Sequence, residues 1–124
     1  MANGKTLLVV DDDPGARRLL QFVLAKTGCD ILTAANSVEA LGIAEKQPIH
    51  LIVTDFMMKG MDGFELTRAL RKMPAYSQLP IVMLSARGQI EVDDAEWNNE
   101  ITFMMAKPFS PIELTSRIQL LLKL

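Results

Sequence analysis

The chain has 124 residues, of which 49% are hydrophobic and 23% are charged, a size and balance typical of one globular domain with an ordinary core. Its formal net charge is −2 and it has no Lys- and Arg-rich segment, which argues against a nucleic-acid-binding surface. The single cysteine, Cys29, excludes an internal disulfide, no apolar run approaches the roughly 20 residues that cross a bilayer, and no secretory signal pattern is present, so we expect a cytoplasmic protein.

Five short apolar runs predict β-strands that are buried on both faces, because they are nearly continuous in Val, Ile, Leu and Met. They read TLLVV, DILTA, HLIVT, PIVML and TFMMA, at residues 6–10, 30–34, 50–54, 80–84 and 102–106.

Longer segments between these runs carry apolar residues at helical spacing, such as Leu20 and Leu24 in the first. A residue suited to capping a helix precedes most of them: Asp13 before Pro14, Ser37, Asp62 before Gly63, and Ser110 before Pro111 with Glu113 completing a capping box. The fourth of five expected helices is only weakly indicated, since residues 91–96 are acidic and poorly amphipathic.

This alternation of strands and helices predicts an α/β fold in which a parallel sheet is covered by helices on both faces. In such a doubly wound sheet, ligands bind outside the carboxyl ends of the strands. The residues that follow each strand are therefore the candidates for chemistry.

Reactive side chains follow four of the predicted strands: Asp11 and Asp12, then Asp55, Ser85 and Lys107. Carboxylates at short range raise one another's pKa unless a divalent cation lies among them, and Mg²⁺ typically joins one or two carboxylates to a phosphate. The pattern thus predicts phosphoryl transfer, with Asp55 as nucleophile, Lys107 as cation and Ser85 as hydroxyl donor.

Four separated motifs, LLVVDDDPGARRLL, LIVTDFMMKGMDGFEL, PIVMLSARG and AKPFSPIEL, resemble the receiver domain of two-component response regulators, in a chemotaxis-receiver-like pattern that covers essentially the whole chain. The resemblance implies a single receiver domain over residues 1–124, with a flavodoxin-like fold and strand order 2-1-3-4-5. It implies a signalling module that takes a phosphoryl group from a sensor histidine kinase or phosphotransfer protein onto Asp55, and that turns over no separate substrate.

The same resemblance assigns the site. It gives the catalytic roles to Asp55, Ser85 and Lys107, and the Mg²⁺ ligands, with Mn²⁺ as a substitute, to the side chains of Asp11, Asp12 and Asp55 and the backbone carbonyl of Met57. It also implies a cis peptide bond between Lys107 and Pro108, and a phosphorylated state that changes the surface around the fourth and fifth helices.

Several positions depart from the family pattern. Lys59 stands where a proline is usual in the turn after the acceptor, and Met104 stands where the family has a switch aromatic. Met57 and Arg87 flank the expected path of attacking water, and neither side chain is a carboxylate or amide that could orient it. We therefore expect slow loss of the phosphoryl group.

Two other functions fit the sequence less well than that of a receiver. A magnesium-dependent phosphatase of the haloacid-dehalogenase type needs a second aspartate two residues after the first, where this chain has Met57. A flavin-binding domain needs a phosphate loop after the first strand, where the acids at 11–13 would repel a phosphate.

The sequence leaves the output open: a stand-alone regulator, a phosphate relay, or the receiver part of a longer protein. The last helix is expected to turn one apolar face to the sheet and to spread further apolar surface around itself, with Ile112, Ile118, Leu121 and Leu122 on the first and Leu114, Leu120 and Leu124 on the second. A partner or a second copy of the chain, forming a homodimer, can bind to the second surface. We expect no direct contact with nucleic acid or membrane.

Overall fold

A parallel five-stranded sheet forms the centre of the computed structural model, which describes residues 3–86 and 101–124. The strands run in the order β2-β1-β3-β4-β5, which confirms the predicted fold. Their bounds are Thr6–Val10 (β1), Asp30–Ala34 (β2), Leu51–Asp55 (β3), Ile81–Ala86 (β4) and Phe103–Lys107 (β5).

Four α-helices lie in the described part of the chain: α1 (Pro14–Leu24), α2 (Ser37–Lys46), α3 (Gly63–Arg71) and the last helix, α4 (Pro111–Leu122). Short 3₁₀ turns follow α1 and α3, at Ala25–Thr27 and Pro74–Tyr76. The weakly indicated helix near residues 91–96 lies outside the described residues. No helix within the described ranges is long and apolar enough to cross a membrane.

Helices cover both faces of the sheet, which gives the three-layer arrangement. On one face, Leu20 and Leu24 of α1 and Leu114 and Ile118 of α4 pack against alternate strand residues such as Val53. On the other, a second cluster joins α2 and α3 to the remaining strand positions, including Ala40, Ala44, Ile52, Leu66 and Leu70. Burial on both sides explains why the strands are almost continuously apolar.

Strand limits differ slightly from those expected. β1 and β2 match, whereas β3, β4 and β5 each begin one residue later. They also extend through polar residues, because strand pairing uses only the backbone: Asp55 is in register with Leu84, and Ala86 with Lys107. As a result, Asp55, Ser85 and Lys107 lie in the last residues of their strands rather than after them.

Helix caps agree with the sequence at three positions. Asp13 accepts a hydrogen bond from the Gly15 N–H at 3.1 Å, and Ser110 accepts one from Glu113 N–H. Asp62 and Glu65 form a reciprocal capping box at the start of α3.

The expected cap of α2 was wrong. Asn36, not Ser37, is the N-cap residue, and its side chain accepts a hydrogen bond from the Glu39 N–H at 2.8 Å. Ser37 is the first helical residue, and its buried hydroxyl donates instead to the carbonyl of Met61 at 2.9 Å. Ser37 therefore bonds to Met61, which is distant in sequence, instead of capping its own helix.

The buried face of the last helix also differs from expectation. Ile112, expected to face the sheet, is 79% exposed, whereas Leu114 is completely buried with Ile118. The two buried residues are four positions apart and share a face, while Ile112 lies about 200° around the helix from Leu114. Leu120 and Leu124 are exposed.

Candidate functional site

Adjacent strands bring three acids together at the carboxyl edge of the sheet. β1 pairs with β3 so that Val10 is in register with Thr54, and the next residue on each chain is an aspartate, Asp11 and Asp55. Asp12 follows directly. One carboxylate oxygen from each of the three acids lies within 4.8 Å of the others.

Lys107 reaches the acids from the edge strand of the sheet. Its Nζ lies 3.1 Å from Asp55 Oδ1 and 3.3 Å from Asp11 Oδ2. The side chains of Asp11 and Asp55 are only 2% and 11% exposed, so both ion pairs are largely shielded from water. The Lys107–Pro108 peptide bond is cis, as the sequence implied.

Backbone and side-chain groups fix the orientation of the acid pair. Asp11 Oδ1 accepts a hydrogen bond from the Asp13 N–H at 2.9 Å, and the Arg17 guanidinium donates to the Asp11 carbonyl at 2.8 Å. Asp12 Oδ2 accepts from the Lys59 N–H at 3.4 Å. The sequence did not predict the contacts from Arg17 and from the Lys59 N–H. For Arg17, the only indication in the sequence was its position one turn into α1, which begins close to Asp11.

Burial and the neighbouring charges shift the pKa values of Asp55 and Lys107. Burial is the largest cause that raises the pKa of Asp55, and the charge of Asp11 adds to it, while Lys107 opposes both. Burial alone would lower the pKa of Lys107, but its hydrogen bond to Asp55 and the charges of both acids outweigh this, so the pKa is raised. Lys107 therefore stays protonated, but its charge only partly offsets the effects of burial and of Asp11 on Asp55.

The donor set fits a hard divalent cation. Among the described residues, three carboxylates lie together and one ammonium, that of Lys107, contacts two of them, so the partly buried cluster is rich in negative charge. Carboxylate oxygens at this spacing are the donors that Mg²⁺ takes in proteins. Asp12, which is exposed, leaves one side of the cluster open to solvent.

A cleft of about 600 Å³ begins at this cluster and runs between α1 and the segment that leads into α4. Asp11 and Lys107 line one end of the cleft, and its walls are mainly apolar, including Ala16, Leu19, Pro108 and Phe109. The cleft thus gives an approaching group a route to Asp11 and Lys107 along an apolar wall.

Comparison with known proteins identifies the family. Residues 7–119 match the family model described as the response regulator receiver domain. The chain belongs to the response regulator receiver domains.

Individual relatives agree with this assignment. The receiver is 34% identical to the phosphate regulon transcriptional regulatory protein PhoB of Pseudomonas aeruginosa, over 97% of this chain and 52% of PhoB. It is 36% identical to the alkaline phosphatase synthesis transcriptional regulatory protein PhoP of Bacillus subtilis, over 96% of this chain and 49% of PhoP. The chain thus spans about half the length of these two regulators.

Solved structures show the same fold. The chemotaxis protein CheY4 of Vibrio cholerae superposes with a TM-score of 0.86 at 32% identity, over 94% of this receiver and 98% of CheY4. The Francisella response regulator 1452 receiver domain gives 0.85 at 30% identity, over 97% and 98% of the two chains.

Of the other residues expected in the receiver site, Ser85 lies close to Asp55 in strand register and Met57 lies close to it in sequence. Ser85 is buried on β4, one residue beyond Leu84, the register partner of Asp55. Met57 is the second residue after Asp55, and its side chain is 52% exposed. Met104, at the switch position, is partly buried against Phe64, Met83 and Ile101, and Arg87 lies outside the described residues.

Proposed function

We propose that this receiver is a phosphoacceptor of a two-component phosphorelay, which takes a phosphoryl group onto Asp55 from the phosphohistidine of a histidine kinase or phosphotransfer protein. The position of Lys107 carries this proposal. Its ammonium contacts both Asp55 and Asp11, next to acids that are crowded beyond what one cation neutralises. Such a site suits a carboxylate nucleophile, a cation and a phosphoryl group whose negative charge is spread over three oxygens.

Mg²⁺, with Mn²⁺ as a substitute, would be held by the carboxylates of Asp11, Asp12 and Asp55 and by the backbone carbonyl of Met57. When bound, the cation supplies charge neutralisation at the phosphoryl oxygens. The Asp55 carboxylate supplies the nucleophilic oxygen, and Lys107 and Ser85 stabilise the negative charge of the phosphoryl oxygens.

In the transfer step, a carboxylate oxygen of Asp55 attacks phosphorus and the phosphorus–nitrogen bond of the donor breaks. The imidazole nitrogen keeps the bonding electron pair and takes a proton from water, so that neutral histidine leaves. The Lys107 ammonium and the Ser85 hydroxyl donate hydrogen bonds to the phosphoryl oxygens, where negative charge is spread during transfer.

The product is the modified receiver itself, and a changed surface toward the last helix conveys the signal. PhoB and PhoP are named as transcriptional regulators, and they are about twice as long as the matched region. We propose that output from this receiver likewise passes to an effector protein or segment rather than through direct contact with nucleic acid.

Incubation with acetyl phosphate and Mg²⁺, followed by intact-mass measurement, tests the acceptor. One phosphoryl group should add to the unmodified protein and none to Asp55→Asn, whereas the exposed acid control Asp30→Asn should be modified normally. Excess EDTA should prevent the reaction. A phosphorylated Asp55→Asn protein would contradict the assignment of the acceptor.

A further inference from the structure

The turn between β3 and α3, residues 57–62, carries the Met57 carbonyl and lies against Asp12. Its two ends are closed by a hydrogen bond from the Gly63 N–H to the Phe56 carbonyl at 2.8 Å. Within the turn, the Lys59 N–H donates to Asp12 Oδ2 at 3.4 Å. Movement of this turn would therefore displace two groups on the cation side of the site at once.

Ser37 holds this turn from the neighbouring helix α2. The residue is 1% exposed, and its hydroxyl donates to the Met61 carbonyl at 2.9 Å, a contact that spans 24 positions in sequence. Because Asn36 caps α2, the Ser37 hydroxyl is not required by its own helix. A buried hydroxyl needs a hydrogen-bond partner, and this one finds it in the turn.

Apolar packing alone would not orient the turn in the same way. The side chain of Met58 is buried and Met61 packs at the edge of the same core cluster, but such contacts are non-directional and methionine is flexible. The hydroxyl–carbonyl bond is directional, and it fixes a peptide group two residues from the Lys59 N–H that Asp12 accepts.

We propose that Ser37 is a positioning residue for the divalent-cation site: through the Met61 carbonyl it holds the turn that presents the Met57 carbonyl and orients Asp12. The inference rests on the proposed cation site, but it concerns a residue outside the set of ligands. It assigns to Ser37 an effect on cation affinity and none on the nucleophile.

Titration calorimetry with Mg²⁺ tests this in the unphosphorylated protein. Ser37→Ala should raise the dissociation constant about three- to fivefold, since a lost buried hydrogen bond gives an effect of that order. Thr27→Val is the control: it removes another buried hydroxyl, which donates to the Leu24 carbonyl and accepts from the Cys29 N–H, at the amino ends of the strands. It should lower the melting temperature at least as much as Ser37→Ala and leave the dissociation constant unchanged.

Two further readouts separate positioning from general destabilisation. With acetyl phosphate, Ser37→Ala should need more Mg²⁺ for half-maximal phosphorylation but reach the rate of the unmutated protein at saturating Mg²⁺. In metal-free protein, the amide of Lys59 should exchange with solvent faster in Ser37→Ala than in Thr27→Val. Alanine is smaller than serine and favours helices, so we expect the variant to fold.

An unchanged dissociation constant in folded Ser37→Ala, or an equal increase in Thr27→Val, would overturn the inference while leaving the proposed function intact. Failure of the unmutated protein to bind Mg²⁺ would instead overturn the proposed cation site, and the inference with it. Intact-mass detection of a phosphoryl group that is absent from Asp55→Asn tests the acceptor separately from the effect of Ser37→Ala.

Discussion

At the scale of single residues, Asp55 is subject to opposing effects. Burial and the nearby Asp11 carboxylate disfavour its charge, and Lys107 favours it. The net result is a raised pKa in the folded protein, so the folded state binds the Asp55 proton more tightly than the unfolded chain does. Without a divalent cation, the ionised Asp55 carboxylate therefore lowers the stability of the fold.

This gives a pH-dependent prediction for Asp55→Asn in buffer with EDTA. Below the pKa of about 3.9 in the unfolded chain, Asp55 is protonated in both the folded and the unfolded state, so Asp55→Asn adds little stability. As the pH rises through the raised pKa of the folded state, the unmutated protein becomes less stable. The stability of Asp55→Asn relative to the unmutated protein therefore increases until it reaches a plateau. Melting temperatures measured from pH 4 to 8 check this.

Asp30→Asn, at an exposed acid, is the control for the general effect of removing a carboxylate. Saturating Mg²⁺ should shrink or reverse the advantage of Asp55→Asn, because the unmutated protein alone keeps all the ligands. A gain that is constant with pH would count against the raised pKa of Asp55.

Met57 gives a second prediction at this scale. Its exposed side chain has no group that can orient attacking water. Met57→Asn should therefore shorten the lifetime of the phosphorylated state, by up to about tenfold, whereas Met57→Leu should not. Loss of the phosphoryl mass after removal of acetyl phosphate measures the decay; equal lifetimes in all three proteins would exclude a role for residue 57. Arg87→Glu tests the companion position.

At the scale of elements, the start of α3 packs against the end of β3, the strand that carries Asp55. Gly63 is the first residue of α3, and a Cβ built there would lie 2.6 Å from the carbonyl oxygen of Asp55 and 3.1 Å from the Phe56 Cα. Since the nearest atoms belong to the backbone, they cannot move aside as a flexible side chain would. The glycine thus allows the helix to begin directly beside Asp55.

Gly63→Ala should destabilise the protein by about 1–3 kcal/mol, because it overpacks this contact, and should slow phosphorylation by displacing Asp55. Gly42→Ala is the matched control: it lies in α2 with no atom near the added Cβ, so it should stabilise by about 0.5–1 kcal/mol. Urea unfolding of both variants checks the signs. A neutral Gly63→Ala would show that α3 can shift away from Asp55 without cost.

The elements also show where sequence patterns are insufficient. Periodicity and caps predicted all nine described strands and helices, and the strand ends predicted the convergence of the acids with Lys107. Asn36 and Ser37 are adjacent residues of equal capping ability, however, and the choice between them depends on Met61, which is distant in sequence. Likewise, the spacing of the last helix could not show which of Ile112 and Leu114 meets the sheet.

At the scale of the whole molecule, the last helix closes the core that α1 begins. Leu114 is fully buried among residues of both helices and three central strands, whereas Leu120 of the same helix is 72% exposed. The cost of truncating a side chain should follow this difference.

Leu114→Ala should lower the free energy of unfolding by about 2–5 kcal/mol, and Leu120→Ala by less than about 0.5 kcal/mol. Chemical denaturation measures both. If Leu120→Ala proved costly, the exposed face of the last helix would have to be covered in solution, and sedimentation of the unmutated protein would then reveal a second copy of the chain.

The ion pair between Lys107 and Asp11 joins positions that are 96 residues apart. Lys107 lies on β5, the last strand in sequence of the described sheet, so the ammonium is made after the acids and after the four other strands. A nascent chain that has emerged from the ribosome only as far as β4 would already carry the three clustered acids, Asp11, Asp12 and Asp55, but would lack the positive charge of Lys107. If Asp55 is the phosphoacceptor as proposed, competence to receive the phosphoryl group requires synthesis through β5, and shorter nascent chains would not compete with folded receivers for the donor.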